Sequence, residues 1–193
     1  MVAARPGPRD RIVLSGVRHL REHGADGMAL RSVVADADAP WGSFTHYFPS
    51  GKDQLLTEAV TWSGQFAVHQ VRDYLARSRK PDPQGLVDAV FSWWIADLER
   101  DGVTSGCPVA GTVADGQLAG VVREACRVAL TDWQDAIRLA LREMHVPPAR
   151  ARECATMLIA ALEGALVLAR AEGSTEPLRA VRRQLRRLFA APA

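Results

Sequence analysis

The chain has 193 residues, with 24 Lys and Arg against 22 Asp and Glu, five His and a formal net charge of +2. A composition of 48% hydrophobic and 24% charged residues excludes a wholly disordered chain, and so small a charge excludes naming a nucleic-acid binder from composition alone. Cys107, Cys126 and Cys154 are an odd number with no CxxC pair, which excludes a disulfide framework and a zinc-ribbon pattern.

The N-terminal MVAARPGPRDR lacks the apolar run of a signal peptide. Residues 9–23 read as a helix with Val13, Val17 and Leu20 on one face, ended by Gly24. A short segment, 30–37, follows. Residues 38–40 break it, and 41–47 form another short piece before Phe48-Pro49-Ser50-Gly51, where Pro and Gly stop any helix. A long helix is expected over 52–78, with Leu55, Ala59, Trp62 and Phe66 at helical spacing. Residues 80–83 are a linker. Residues 84–100 place Val87, Phe91, Trp94 and Leu98 on one stripe, and 101–115 read as a loop. Residues 118–144 form a helix with Val122, Trp133, Ile137 and Leu141 near one face. Pro147-Pro148 opens the next helix, to about residue 172, at the position where Pro is tolerated. Residues 155–169 are apolar nearly all round, which requires cover on both sides. This stretch is shorter than the roughly 20 residues of a membrane span, and Glu163 interrupts it. The last helix, 176–190, follows Ser174 and Thr175 as capping candidates. Its stripe is Leu178, Val181, Leu185 and Leu188, with five Arg elsewhere. The pattern predicts an all-α chain of about nine helices without a sheet, cytoplasmic and without a membrane partner.

Three short helices with a tight turn before the third match a helix-turn-helix, whose second motif helix lies in the major groove. Phe44 and Phe48, four residues apart, can pack inward. Trp41, Ser43, Thr45, His46 and Tyr47 then face outward to stack, donate hydrogen bonds or touch thymine methyls. The alternative, a surface helix of a bundle, seldom exposes so many aromatic and hydroxyl groups.

Residues 24–55, GADGMALRSVVADADAPWGSFTHYFPSGKDQL, resemble the DNA-binding signature of the TetR (tetracycline-repressor-like) family of transcriptional regulators. The matches are Arg31, Val33, Ala37, Gly42, Phe44, His46 to Pro49, Gly51, Lys52 and Leu55. Ser105-Gly106-Cys107-Pro108-Val109-Ala110 and Pro49-Ser50-Gly51-Lys52 resemble motifs of the branch that includes multidrug-efflux repressors. The resemblance implies that Arg31, Ser32 and Lys52 hold backbone phosphates and that Gly42 lets the duplex approach closely. It further implies that Ser43 and His46 face bases or phosphates and that Tyr47 touches the backbone. It implies residues 1–51 as the DNA-binding domain and 52–193 as the ligand-binding and dimerisation domain. Four departures stand out. Met28-Ala29 replaces a pair that usually carries a hydroxyl, Asp38 replaces the turn Gly, Trp41 replaces a Lys or Arg, and Thr45 replaces a Tyr. They bear on two phosphate contacts and on base preference. Arg5, Arg9 and Arg11 are candidates for a compensating basic arm, or a solvated terminus.

His19-Leu20-Arg21-Glu22-His23 matches the H-x-x-E-H zinc pattern, but no downstream carboxylate ligand accompanies it, and a solvated helix end is the plainer reading. Cys107-Pro108 reads as a small apolar residue at a turn rather than a reactive thiol. No GxxxxGK[ST], GxGxxG or GxSxG occurs. The expectation is therefore no enzyme, no catalytic residue, no metal and no cofactor. Trp62, Phe66, Phe91, Trp94, Leu98, Trp133, Ile137 and Met157 are candidates to line an apolar pocket between helices, with plain core packing as the rival. The resemblance favours a small apolar or aromatic effector. It also implies a homodimer through the last two helices, in place of a basic amphipathic helix on a membrane. Residues 1–80 carry 11 bases and 8 acids, and residues 81–193 carry 13 and 14, so the positive excess lies on the DNA side. The expected protein is a repressor released from a pseudo-palindromic operator by its effector. The four departures leave open a ligand-binding or scaffold protein with weak or lost operator binding.

Overall fold

The computed structural model describes residues 6–190. Among these residues it contains nine helices and no strand. They are α1 (Pro8–His23), α2 (Leu30–Asp36), α3 (Trp41–Tyr47), α4 (Lys52–Arg77), α5 (Pro83–Asp101), α6 (Pro108–Ala114), α7 (Gly120–Glu143), α8 (Pro148–Glu172) and α9 (Glu176–Ala190). Arg5, one residue of the expected basic arm, lies outside the described residues.

The chain forms two compact units that do not follow sequence order. The first comprises Met1–Ser63 with Pro108–Ala129, the second Gly64–Cys107 with Leu130–Ala193. In the first unit, Val13, Val17 and Leu20 of α1 are buried as the spacing predicts, together with Ile12, Val33, Phe48 and Leu55. A Cβ built on Gly16 would sit 3.2 Å from Leu55 Cδ1, so α1 and α4 approach closely at that point. α6 corrects the expected loop over 101–115. Pro108 opens it, the Thr112 hydroxyl donates to the Pro108 carbonyl at 2.7 Å, and Val109 and Thr112 are buried. Seven residues are too few for a periodic pattern to declare itself, and packing against α1 supplies what propensity does not.

In the second unit the predicted α5 stripe is correct: Val87, Phe91, Trp94 and Leu98 are all buried. α8 is apolar enough and long enough to cross a membrane by length and composition. Much of it, including Leu158, Leu162 and Leu166, is nevertheless buried. α9 buries only part of its apolar stripe within this chain. Leu178, Leu185 and Phe189 are inside, Val181 is half-buried and Leu188 is 46% exposed. The cause lies in what α9 packs on. Arg179 pairs with Glu99, and Arg182 and Arg186 pair with Asp88, all on α5. Arg182 Nη1 also donates to Ser92 Oγ at 3.1 Å. These contacts fix the rotation of α9 and turn Leu188 outward. Hydrogen bonds from Arg179 and Thr175 hold the Glu99 carboxyl below its ordinary range. Thr175 thus donates its hydroxyl to Glu99, and Ser174 accepts from the Glu176 N–H at 3.2 Å.

α5 begins at Asp82, whose Oδ1 accepts from the Gly85 N–H at 2.9 Å with Pro83 in the first turn. Replacing this cap removes the acceptor for one orphan helix donor. Asp82→Ala is expected to cost about 1 kcal/mol of stability, and Asp82→Ser or Asp82→Asn much less, in urea denaturation.

Candidate nucleic-acid interface

The α2–α3 turn is built by residues from outside the motif as well as within it. Ala37 N–H donates to the Val33 carbonyl at 3.1 Å, Asp38 N–H to Ala35 at 2.9 Å and Ala39 N–H to Val34 at 3.3 Å. Asp38 takes φ 48°, the left-handed conformation that a turn Gly would otherwise supply. Ala29, at the start of α2, offers no side-chain cap, in line with the missing hydroxyl. Arg11 of α1 reaches across the turn. Its Nε donates to the Ala37 carbonyl at 2.9 Å and its Nη2 to the Asp38 carbonyl at 2.8 Å. Arg9 pairs with Glu58 at 2.7 Å. Both arginines are therefore engaged within the first unit, and Arg11 is a clamp on the turn rather than part of an arm.

His19 is buried and its Nε2 lies 2.7 Å from Asp36 Oδ2. The first histidine of the H-x-x-E-H stretch thus ties α1 to the end of α2. Among the described residues, no group of three or more His, Cys, Asp or Glu is placed to hold a metal ion. At the other end of α3, Gln54 Nε2 donates to the Tyr47 carbonyl at 3.1 Å, and its Oε1 accepts from the Ser50 N–H at 3.2 Å. Asp115, just beyond α6, makes a contact far along the chain. Its Oδ2 accepts from the Ala25 N–H and, at 3.2 Å, from the Asp26 N–H. Gly24, at φ 71°, makes room for it, since a Cβ there would lie 2.8 Å from the carboxylate. No local signal in the sequence marks Asp115, because its partners lie 90 and 89 residues away.

The nine expected DNA residues fall as follows. Arg31, Ser32, Trp41, Gly42, Thr45 and His46 are exposed, and Ser43, Tyr47 and Lys52 are half-buried. Phe44 and Phe48 are buried and stacked, with ring centroids 5.3 Å apart. A Cβ on Gly42 would meet nothing within 4 Å, so the space beside it is open. The Thr45 hydroxyl donates to the Gly42 carbonyl at 3.1 Å, and the His46 ring rests edge-on to Tyr47, 4.9 Å away. Lys52 Nζ lies 3.5 Å from the Asp26 carbonyl. The Arg31 guanidinium carbon lies 5.2 Å from the centroid of the Trp41 ring.

The eight candidate ligand residues are not gathered in one place. Trp62 lies in the first unit and is 39% exposed, which corrects its assignment to the interior. The buried face of α4 runs through Leu55, Leu56, Ala59, Val60 and Ser63. Its centre is rotated by about 60° from the expected stripe, with which it shares Leu55 and Ala59. Phe91, Trp94, Leu98, Trp133 and Ile137 are buried in the second unit, and Phe66 and Met157 are half-buried. Phe66 stands 4.9 Å from Trp93, which stands 4.8 Å from Trp94. Trp93 lies off the expected stripe and was missed for that reason. A separate groove of about 500 Å³ runs between α4 and α7, floored by Val68, Val71, Leu75, Ala136, Leu139 and Ala140. On α8, Glu163 Oε1 is sealed from solvent without a hydrogen-bond partner. Burial pushes the Glu163 carboxyl up to about 7, against a hydrogen bond from the Cys107 thiol that pulls it down.

Residues 83–184 match the family described as transcriptional regulator LmrA/YxaF-like, C-terminal domain. An uncharacterised HTH-type transcriptional regulator of Mycobacterium tuberculosis is 33% identical over 192 residues, covering 96% of this chain and 95% of the relative. The HTH-type transcriptional regulator LmrA of Bacillus subtilis is 27% identical over 171 residues, 88% of this chain and 90% of its own. A TetR transcriptional regulator from Legionella pneumophila has the same fold, with a TM-score of 0.86 at 15% identity over 96% of this chain and 99% of its own. EbrR, described as a multidrug binding protein complexed with imidazole, superposes with a TM-score of 0.62 at 22% identity over 98% of both chains.

Two outcomes are expected from these contacts. Asp115→Ala removes a charged acceptor from two backbone donors. It should cost roughly 1.5–3 kcal/mol and speed hydrogen exchange at the Ala25 and Asp26 amides, whereas unchanged protection there would show the contact to be idle. Glu163 has a folded-state value of about 7 against an ordinary 4.5. The folded chain therefore holds this proton more tightly, and the contribution of Glu163 to stability is full below 4.5, declines as pH rises from 4.5 to 7 and levels off above 7. Glu163→Gln should remove this decline, at most about 1.4 kcal/mol per pH unit, in chemical denaturation from pH 4 to 8. Parallel curves for the two proteins would contradict the assignment.

Proposed function

This chain belongs to the TetR family of HTH-type transcriptional regulators, in its LmrA/YxaF-like group, and from that premise we propose that it is a ligand-released repressor. The observation that carries the proposal is the division of α3 into two faces. Phe44 and Phe48 are inside, and Trp41, Gly42, Thr45 and His46 are exposed on the other side, beside Arg31 and Ser32 of α2. In this reading Ser43, Thr45 and His46 meet base edges or phosphates, Tyr47 and Lys52 touch the backbone, and Gly42 admits the duplex.

Residues 1–51 carry the DNA function and residues 52–193 the ligand and dimer functions. The homodimer forms through α8 and α9, where Val167, Leu168 and Leu188 stand exposed. Two motifs then read successive major grooves of a pseudo-palindromic operator, roughly 34–36 Å apart or somewhat more. The effector is small and apolar or aromatic, and Phe66, Phe91, Trp94, Leu98, Trp133, Ile137 and Met157 supply its surroundings. Effector and operator favour different conformers, so each must weaken the other's binding by the same factor.

The test begins with in vitro selection of duplex DNA by the purified protein. Affinity for the selected duplex should fall steeply with salt, with a logarithmic slope of about 0.9 per neutralised phosphate. Lys52→Ala should weaken all sequences alike and lower that slope by about 1. An effector found by screening for release should bind more weakly to the DNA complex than to the free protein, by the factor with which it weakens DNA. A wild-type protein that selects no duplex even at low salt would overturn the repressor reading in favour of a ligand-binding or scaffold role.

A further inference from the structure

Trp41 occupies a position at the start of α3 where the signature commonly has Lys or Arg, and taken alone it removes a cation from the exposed face. The structure places a cation there by another route. The Arg31 guanidinium carbon lies 5.2 Å from the centroid of the Trp41 ring. Trp41 is 41% exposed, so the pair stands at the surface and is not sealed in the core. Among the described residues Arg31 has no carboxylate partner, unlike Arg9, Arg127 or Arg138. Its N–H groups are therefore not committed to an anion of this chain.

The indole is itself held from below. Trp41 stacks on Phe44 with centroids 5.1 Å apart and an interplanar angle of 29°, and Phe44 stacks on buried Phe48 at 5.3 Å and 20°. A column of three rings thus runs from the core to the surface and ends under a guanidinium. Stacking on an aromatic face engages the plane of a guanidinium and leaves its N–H edges available. An Arg placed in this way has already lost the side-chain freedom that a solvated Arg or Lys would lose on binding.

We infer that Trp41 acts as a positioning residue that replaces a basic side chain at the start of α3, by holding Arg31 over its ring so that the pair presents one fixed cation to a DNA phosphate. The inference rests on the repressor reading, because it assigns a DNA contact. It predicts that the two side chains act as one unit and that the unit counts as a single charge.

The experiment measures binding of the selected duplex and of a random-sequence duplex across a salt series. Arg31→Ala and Trp41→Ala should each weaken both duplexes and lower the salt slope by about 1. The double variant should bind no more than about twofold worse than Arg31→Ala alone, since contacts made as one unit are not additive. Trp41→Lys should restore the slope, which a purely structural tryptophan would not permit. Trp41→Phe keeps a ring on Phe44 and should be intermediate. In the free protein, the Arg31 side-chain N–H resonance should carry a ring-current shift that Trp41→Ala abolishes.

A wild-type slope in Trp41→Ala, or fully multiplicative effects of the two single variants, would overturn the inference while leaving the repressor reading intact. Loss confined to particular base pairs at an unchanged slope would also overturn it, because Arg31 would then be reading bases. If the wild-type protein binds neither duplex, the repressor reading fails and this DNA contact fails with it. A ring-current shift persisting in that case would locate the failure in the role and not in the pair.

Discussion

Two of the helices that carry the proposed DNA contacts, α2 and α3, have seven residues each, and a helix of that length is not stable by itself in water. Everything about the first unit follows from that constraint. α3 is anchored by Phe44 and Phe48, both buried. Its approach is set by Pro40 and by the left-handed Asp38, and the carbonyls of that turn are held by Arg11. Its exit is held by Gln54, and α2 is tied to α1 by the His19–Asp36 pair. Apart from Phe44, each support comes from an element outside the two short helices or at their ends. Side chains such as Arg31 and His46 on the exposed faces are thereby left available to a partner.

The second unit solves a different problem. α8 is apolar around most of its circumference and needs cover that one neighbour cannot give. α9 covers part of it and packs on α5 as well. Its arginines are drawn to Glu99 and Asp88, which settles which of its apolar residues turn inward. Leu178, Leu185 and Phe189 do so, leaving Leu188 at the surface on the side opposite the salt bridges, with Val167 and Leu168 exposed on α8. Surface ion pairs contribute little to stability individually. Here their effect is on specificity of rotation, because a 100° turn of α9 would exchange its buried and exposed residues without changing its composition.

The sequence made the long, strongly periodic elements legible, and the structure places α1, α5, α7 and α8 within a residue or two of their expected bounds. Short apolar segments were not legible in that way. α6 is invisible to the pattern because its seven residues carry too little periodicity. Trp62 lies outside because the buried face of α4 centres about 60° away from a stripe drawn through Leu55, Ala59, Trp62 and Phe66, which leaves Trp62 about 90° from that centre. A four-residue stripe does not say which of its members a helix of the same chain covers, because on α9 that depends on Glu99 and Asp88 of α5. The outward face of α3 is legible because Phe44 and Phe48 stand four residues apart, whereas Arg31, Ser32, Gly42 and Lys52 come from the resemblance and not from spacing. Arg11 and Asp115 were missed as supports because an arginine in a first turn and an aspartate after a short helix look like ordinary surface residues until their partners are known.

Charge shows how much of this turns on placement and little on totals. A net charge of +2 is small, and much of the basic side is already committed: Arg9 to Glu58, Arg11 to the turn, and Arg179, Arg182 and Arg186 to α5. Counting arginines would therefore overstate the field that a duplex meets. What matters is which cations remain without an internal anion on the exposed side of α2 and α3, and Arg31 is one of these. A protein built in this way gains little from diffuse attraction. Its affinity has to come from a few contacts held in position before DNA arrives, so the packing of Phe44, Phe48 and Trp41 is as much a part of the binding surface as the charges it supports.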